Sequence, residues 1–289
     1  IAIPALVIGL GVKAVKAATE FETAMGNINT LMDDNGENVA ELESGIKDLL
    51  KTVPKSAKEL GESAYAIVSA GISDTADALD VLESSAKLAV AGLGTTAEAT
   101  DIVTSAINAF GIEAEDSNIV ANDFFIAVKK GKTTVSELAQ GFGQVAPLAN
   151  EMNVSLEDLL SSTSAMTTSG MDASVAYTSI KSALSNLMKP TKEMQEAYDD
   201  LGWSVDNVKD SLSEDGLVGT LQMLSDAVEG DTEKLAGMFG SVEGLNAVMM
   251  LLGDTGLNAT EIWKSMEEEL GALEVAYQKQ KETTEALWE

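Results

Sequence analysis

One recurring corner punctuates this chain: a glycine is followed by an apolar residue and then by a residue that starts a new helix. The corners are Gly71-Ile72-Ser73, Gly92-Leu93-Gly94-Thr95, Gly111-Ile112, Gly170-Met171-Asp172, Gly202-Trp203-Ser204 and the variant Asn153-Val154-Ser155. Glycine, and to a lesser degree asparagine, adopts the left-handed conformation that ends a helix, and the apolar residue after it folds back onto that helix. The next Ser, Thr or Asp caps the following helix. The pattern therefore predicts many helices joined by tight corners.

Between the corners, apolar residues recur at the three- and four-residue spacing of a helix face, as in Leu79, Leu82, Ala86, Ala89 and Leu93. No alternating β-branched run of strand length stands out. The signals predict helices over residues 4–32, 37–53, 56–70, 74–91, 95–110, 115–130, 134–151, 155–169, 172–189, 191–201, 204–213, 216–229, 231–239, 241–252 and 258–288.

Three helix starts carry a predicted capping box, in which the first side chain and an acidic side chain three residues later bond to each other's backbone N–H. They are Thr95 with Glu98, Thr134 with Glu137, and Ser155 with Asp158 as a shorter acidic version. These pairs fix where three of the predicted helices begin.

The predicted fold is all-α: an array of short helices joined by glycine corners, partly a compact bundle, with long helices at both ends. The corners are unevenly spaced, so a strict solenoid repeat is not expected. We predict an apolar N-terminal helix over 1–34, a helical domain over 35–201 and a C-terminal helical extension over 202–289. Aromatic residues make up only 4% of the chain, so small aliphatic side chains and methionine must form the core.

The chain contains no histidine, cysteine or arginine, and its 18 lysines face 47 acidic residues for a formal net charge of −29. Histidine is the usual near-neutral proton shuttle, cysteine the intrinsic nucleophile, and arginine the planar group that grips phosphate. This composition favours a structural role over an enzyme. Because reference pKa values leave a wide gap between carboxylates and lysines, the net charge is expected to stay nearly flat from about pH 6 to 9. Such an acidic surface repels nucleic acid, so no direct nucleic-acid binding is predicted.

Three glycine-containing segments imitate ligand-binding motifs without completing them. Gly9-Leu10-Gly11 follows an apolar run like a dinucleotide fingerprint, but no alternating strand and helix units surround it. Gly131-Lys132-Thr133 resembles the end of a phosphate loop, yet Ile126 stands where that loop's first glycine belongs. The acidic turn 33–37 places its glycine too early for a calcium loop. We predict no cofactor and no metal ion for this chain.

Carboxylate pairs and isolated aromatic residues give no catalytic arrangement either. Asp199-Asp200 and Glu267-Glu268-Glu269 are adjacent in sequence, so they splay around a helix and are predicted to lie on solvated faces. Tyr65, Tyr177, Tyr198 and Trp203 are interpreted as packing residues. No catalytic residue is predicted, and the chain is predicted not to be an enzyme.

The ends of the chain look cut from something longer, because it begins without an initiator methionine and stops inside a helical pattern. The apolar run Ile1–Val12 is shorter than a membrane-spanning helix, and no basic segment precedes it as in a signal peptide. We interpret it as a packed helix, with a membrane segment as the alternative.

The stretch from about Phe21 to Trp203 resembles phage tail tape measure proteins, in the large family first named for a lactococcal phage, and four segments carry the resemblance. They are Ala17–Met25; Lys58–Ala66 with Ala70-Gly71; Thr134–Ala149 before the Ser155 helix start; and Thr168–Thr178, followed by Leu184, Leu187, Pro190, Thr191 and Leu201-Gly202-Trp203. One departure is that only Lys181 stands in the helix after Gly170, where family members commonly carry Arg or Lys.

This resemblance implies a virion structural protein that lies in the lumen of the tail tube, determines tail length during assembly in the host cytoplasm and assists genome delivery. It implies tail tube proteins, tail tip or baseplate proteins and tail assembly chaperones as partners, together with self-association into a homo-oligomer. The alternative is a membrane-active helical module that contacts the host membrane and forms a channel during DNA ejection. For residues 35–201 we expect a compact particle, which would be a globular head on the ruler.

Overall fold

The computed structural model describes residue 16, residues 18–32 and residues 37–285 of the chain. Within these residues the secondary structure is helical, and no strand occurs. The predicted all-α class is therefore confirmed. Several sequence features lie outside the described residues: the apolar run Ile1–Val12, Gly9-Leu10-Gly11, most of the acidic turn 33–37, and the first part of the helix predicted over 4–32.

Seventeen helices cover most of the described residues. They are α1 (18–29), α2 (Glu37–Thr52), α3 (Ala57–Ser69), α4 (Thr75–Ala91), α5 (Thr96–Phe110), α6 (Ser117–Lys130), α7 (Val135–Ala139), α8 (Phe142–Glu151), α9 (Leu156–Thr168), α10 (Ala173–Met188), α11 (Lys192–Leu201), α12 (Val205–Glu214), α13 (Gly216–Ala227), α14 (Thr232–Met238), α15 (Val242–Leu251), α16 (Asp254–Glu268) and α17 (Ala272–Glu285). A short 3-10 turn, Ala114–Asp116, precedes α6.

Most predicted corners adopt the expected geometry. The left-handed residues are Gly71, Gly111, Asn153, Gly170 and Gly202, with φ between 59° and 98°. In each corner the apolar residue's N–H donates to a carbonyl five residues earlier, as from Trp203 to Tyr198 at 2.7 Å. These bonds satisfy carbonyls that the end of a helix otherwise leaves free.

The corner after α4 differs from the prediction, because Leu93 and not Gly92 carries the positive φ, 58°. The two glycines flanking Leu93 instead make room for Val135 at the start of α7. A β-carbon on Gly94 would lie 2.7 Å from the Cβ of Val135, and one on Gly92 would also collide with that side chain. The Val135 N–H donates to the Gly92 carbonyl at 2.9 Å, which fixes the contact.

Two predicted helices are each broken into two. The helix predicted over 134–151 stops at Ala139 and restarts at Phe142, with Gly141 between them at a φ of 104°. The long C-terminal helix predicted over 258–288 is wrong: α16 ends at Glu268 and α17 begins at Ala272. Apolar spacing continues through both breaks, so periodicity alone does not show them.

A single cluster of buried apolar residues extends from Phe21 in α1 to Leu273 in α17. Helix α9 lies at its centre, in contact with α6, α8, α10, α13, α15 and α16. Most core residues are aliphatic, but Phe124, Phe142 and Tyr177 stack edge to face, with centroids 5.1 and 5.9 Å apart. Tyr177 and Tyr198 are buried as predicted, whereas Tyr65 is exposed and its predicted packing role is wrong.

Candidate functional site

Polar side chains concentrate on the central helix α9, which is buried on nearly all sides. Its buried polar residues are Asp158, Ser161, Ser162, Thr163, Ser164 and Thr167. Some hydroxyls donate to carbonyls of α9 itself, as Thr163 does to Leu159 at 2.8 Å. Others reach α6 and the turn that follows it: the Ser164 hydroxyl donates to the Ala127 carbonyl at 3.1 Å, and the Lys132 N–H donates to the Thr167 hydroxyl at 3.0 Å. Small polar residues thus let α6 and α9 approach closely while their polar atoms stay paired.

Asp158 ties α9 to the start of α13. Its carboxylate accepts the Leu217 N–H at 2.6 Å and the Ser162 hydroxyl at 3.5 Å. The predicted capping box is therefore half right: Ser155 accepts the Asp158 N–H at 3.1 Å, but the Asp158 side chain turns inward to α13. Burial raises the pKa of Asp158 to about 7, the two hydrogen bonds oppose that rise, and the charge of Glu157 adds to it.

Asp123 is a second buried carboxyl, in the middle of α6. None of the described residues donates a hydrogen bond to it. Burial raises the pKa of Asp123 to about 8, with a further contribution from the negative charge of Glu157. The expected flat net charge from pH 6 to 9 therefore needs a correction, because both Asp123 and Asp158 have pKa values in or near that interval.

Asn122, next to Asp123, holds the turn between α16 and α17. Its amide donates to the Glu269 carbonyl at 3.1 Å, and its oxygen accepts the Leu273 N–H at 3.1 Å. One buried side chain thus bonds both to the backbone carbonyl just after α16 and to a backbone N–H in the first turn of α17. Beside it, the Glu269 carboxylate forms ion pairs with Lys129 and Lys130. Of the acidic run 267–269, Glu267 and Glu268 are exposed as predicted, but Glu269 is held by these lysines.

Lys87 on α4 makes the next contact with α17. Its ammonium lies 2.8 Å from Glu274, 2.9 Å from Glu83 and 5.7 Å from the centre of the Tyr277 ring. Burial lowers the pKa of Lys87, but the two carboxylates outweigh it and raise the pKa above its ordinary value. The Tyr277 hydroxyl donates to the Thr52 carbonyl at 2.6 Å. Polar contacts from α2, α4 and α6 therefore attach α17 to the rest of the molecule.

Two clefts adjoin each other beside the corner at Gly170. The larger, about 420 Å³, is lined by Lys132, Glu137, Gln140, Thr167, Gly170, Met171, Asp172, Ala173 and Ser174. The smaller, about 320 Å³, shares Gln140 and Ser174 with it. The Gly131-Lys132-Thr133 segment borders the larger cleft. Because the Lys132 N–H already donates to Thr167, that backbone does not form the open nest of amides that a phosphate loop provides.

The remaining sequence candidates lie apart from these contacts. Asp199 and Asp200 are both exposed on α11. The described residues include no group of three or more acidic, histidine or cysteine side chains arranged to hold a metal ion. Among the helices of the described part, none has the length and apolar character needed to cross a membrane.

Sequence reasoning missed Asp123, Asn122 and Lys87, and it placed Asp158 in a helix cap without its buried contact with Leu217. For Asp123 a signal was present, since it lies three residues after Val120 and four before Ala127 on the buried face of α6. Asn122 and Lys87 contact residues more than 140 positions away, and no local pattern marks such partners.

Residues 43–244 match the family described as phage-related minor tail protein. A tape measure protein of Pneumococcus phage Dp-1 is 29% identical over 196 residues, which is 68% of this chain and 17% of that protein. A probable tape measure protein of Clostridium phage phiCD119 is 30% identical over 293 residues, which is 97% of this chain and 31% of that protein. No solved structure matches the chain.

The chain thus spans less than a third of the length of these two relatives. Both are named as tape measure proteins, which confirms the resemblance inferred from the four sequence segments. Because the family match covers more than half of its residues, the chain belongs to the phage-related minor tail protein family and is a structural component of a phage tail.

Proposed function

We propose that this chain is a folded segment of a tape measure protein, which determines tail length during assembly and assists genome delivery. The observation that carries this proposal is the 30% identity to a probable tape measure protein over 97% of the chain. In this role the protein lies in the lumen of the tail tube, after assembly in the host cytoplasm.

The fold supports the role of a head on the ruler and not of the ruler itself. An extended helix gains 1.5 Å per residue, so residue number converts directly into length. Among the helices of the described residues the longest, Thr75–Ala91, has 17 residues and a length of about 25 Å, and corners or short turns separate it from its neighbours. A length ruler of this kind would therefore lie elsewhere in the protein that carries this segment.

The partners that follow are tail tube proteins, tail tip or baseplate proteins, tail assembly chaperones and further copies of the same chain. A formal net charge of −29 opposes contact with the DNA backbone, so genome delivery would proceed without direct nucleic-acid binding. We assign no enzymatic activity to the segment.

Two in-frame insertions in a phage that carries this protein test the proposal. An insertion of about 60 helix-forming residues outside residues 1–289 is expected to lengthen the tail by about 90 Å in electron micrographs. The same insertion at the exposed turn of Gly230 and Asp231 is expected to leave tail length unchanged. Unchanged length with the first insertion would refute the ruler, and lengthening with the second would refute the head.

A further inference from the structure

Helix α13 is capped by a residue of another helix. Asp215 stands at its capping position, but the Asp215 side chain makes no capping hydrogen bond and accepts the Ser211 hydroxyl at 3.2 Å instead. The N–H of Leu217, the second residue of α13, donates to Asp158 on α9 at 2.6 Å. A capping side chain normally accepts an N–H at this position of its own helix. Asp158 therefore takes the place of the missing cap.

Gly216 and Trp263 enclose this cap. Gly216, the first residue of α13, has a φ of 72°. A β-carbon on Gly216 would lie 2.6 Å from Cζ3 of Trp263 on α16 and 3.3 Å from Oδ2 of Asp158. The indole ring and the carboxyl group thus both lie against the Gly216 backbone, and Asp158 is only 2% exposed. The cap is a carboxyl group enclosed between α9, α13 and α16.

The charges near Asp158 are negative. Among the described residues, Glu157 is the one charged group that shifts the pKa of Asp158, and it shifts that pKa upward. Glu157 also acts on Asp123, the buried carboxyl of α6. Asp215 adds a carboxyl at the turn before α13. Helices α8, α10, α15 and α16 pack against α9 as well, but no lysine on them stabilises the Asp158 carboxylate.

The two protonation states of Asp158 differ in how well they suit this position. A carboxylate is the better cap, because it carries a full charge at the positive end of a helix. It is also costly to bury, and here burial raises the pKa of Asp158 more than its two hydrogen bonds lower it. Water would restore the ordinary pKa, near 4. Opening of the cap therefore releases a proton, so rising pH favours opening until the buried carboxyl is itself ionised.

We propose that Asp158 is a pH-sensitive latch, which holds the first turn of α13 against α9 and α16 when protonated and lets that turn open when ionised. The first turn comprises residues 216–219. The latch is a conformational device built into the fold, and it does not depend on the proposed function.

Hydrogen exchange of the Leu217 amide measures the latch directly, because this N–H bonds to Asp158. The parent for the test is Asp123→Asn, which removes the other buried carboxyl. From pH 5.5 to pH 7.5 the protection factor of Leu217, corrected for the intrinsic exchange rate at each pH, is expected to fall at least tenfold. In Asp123→Asn/Asp158→Asn, residue 158 can still accept the N–H but cannot ionise. There we expect a change of less than twofold.

The amide of Val103, buried in α5, separates local opening from unfolding of the whole molecule. Leu217 is expected to be less protected than Val103 at both pH values. The latch is refuted if the two amides are equally protected, if Leu217 protection does not change with pH, or if the double variant shows the same fall.

Trp263 fluorescence gives a second measurement that leaves Asp158 in place. The chain contains two other tryptophans, and Trp203→Phe with Trp288→Phe in the Asp123→Asn chain leaves Trp263 as the single emitter. Its emission is expected to change with a midpoint between pH 6 and 8. A midpoint near pH 4, or no transition, would contradict the latch. Neither result affects the tail-length insertions, so the two proposals are judged separately.

Discussion

At the scale of single residues, the composition suggests that no side chain titrates near neutral pH, but the structure contains two carboxyl groups that do. Asp123 and Asp158 are both buried, and their pKa values are raised to about 8 and about 7. They differ in what compensates for burial. Asp158 accepts hydrogen bonds from Leu217 and Ser162, whereas Asp123 accepts none from the described residues. Asp123 is therefore the carboxyl whose ionisation opposes folding more strongly.

Replacing Asp123 with asparagine should change how stability depends on pH. The folded-state pKa of about 8 lies above the reference value of 3.8, so the folded protein binds more protons between these values. The free energy of unfolding then falls as pH rises towards 8. Asp123→Asn is expected to raise that free energy by about 1–3 kcal/mol at pH 9 and by less at pH 6, in urea unfolding.

The interval from pH 6 to 9 isolates this effect, because exposed carboxylates are already ionised in both states. The control is Asp101→Asn on the exposed side of α5, which should leave the slope unchanged. If the free energy of unfolding of Asp123→Asn still falls with rising pH, but less steeply, that remaining pH dependence comes from Asp158. Identical pH dependence in the parent chain and Asp123→Asn would contradict the assignment.

Gly94 offers a residue-scale test of close packing. A β-carbon there would lie 2.7 Å from the Cβ and Cγ1 of Val135, so Gly94→Ala must displace the start of α7. We expect a loss of about 1–3 kcal/mol in the free energy of unfolding.

The matched control for that test is Gly143→Ala inside α8, where nothing lies within 4 Å of the added carbon. Alanine favours a helix over glycine by up to about 1 kcal/mol, so this variant should gain stability. Equal effects of the two changes would mean that Val135 moves aside without penalty.

At the scale of elements, sequence predicts where most helices begin and end, because caps and corners act through neighbouring residues. The boxes Thr95–Glu98 and Thr134–Glu137 form as predicted. The predicted corners and helix ends are wrong where a contact with a residue far away in the sequence determines the local structure. The corner at Gly92 depends on Val135, and the break between α16 and α17 coincides with the hydrogen bonds of Asn122. Local patterns contain no information about such partners, so the buried polar contacts were not predictable from the sequence.

Asn122→Ala is expected to loosen α17 while the other helices stay packed. The change removes the Asn122 donor from the Glu269 carbonyl, which keeps the Ala272 N–H as a donor at 3.1 Å, and it leaves the Leu273 N–H without its side-chain acceptor, at about 1–3 kcal/mol. Amide hydrogen exchange should accelerate in residues 272–285 and change little in α9. Lys129→Ala, which removes a partly exposed ion pair, should have an effect below about 1 kcal/mol. Uniform acceleration across all helices would show instead that α17 is inseparable from the core.

At the scale of the whole molecule, one core crosses the boundary predicted at residue 201. Helices α13, α15 and α16 all contact α9, and the buried cluster continues to Leu273. The division into 35–201 and 202–289 stays a prediction about chain organisation. Which helices become neighbours is set by tertiary packing between segments that can lie more than 200 residues apart, as Tyr277 and Thr52 do, and the sequence pattern does not specify it.

Truncation after residue 201 tests whether the two parts fold separately. The shared core predicts that residues 35–201 alone expose the faces of α9 and α10 that α16 and α15 cover. We expect a cooperative thermal transition to be lost, together with increased binding of a hydrophobic dye. A sharp transition at an unchanged temperature would establish residues 35–201 as an independent domain.

The attachment of α17 has a mechanical consequence. The hydrogen bonds and the ion pair described above for its attachment involve residues 269 to 277, and the residues from 278 to 280 and 282 to 283 are exposed. A pulling force applied at the C-terminal end of α17 would break the contacts of Tyr277, Glu274 and Asn122 one after another. We expect a force-extension record to show α17 peeling away as the first and weakest step, before the core yields.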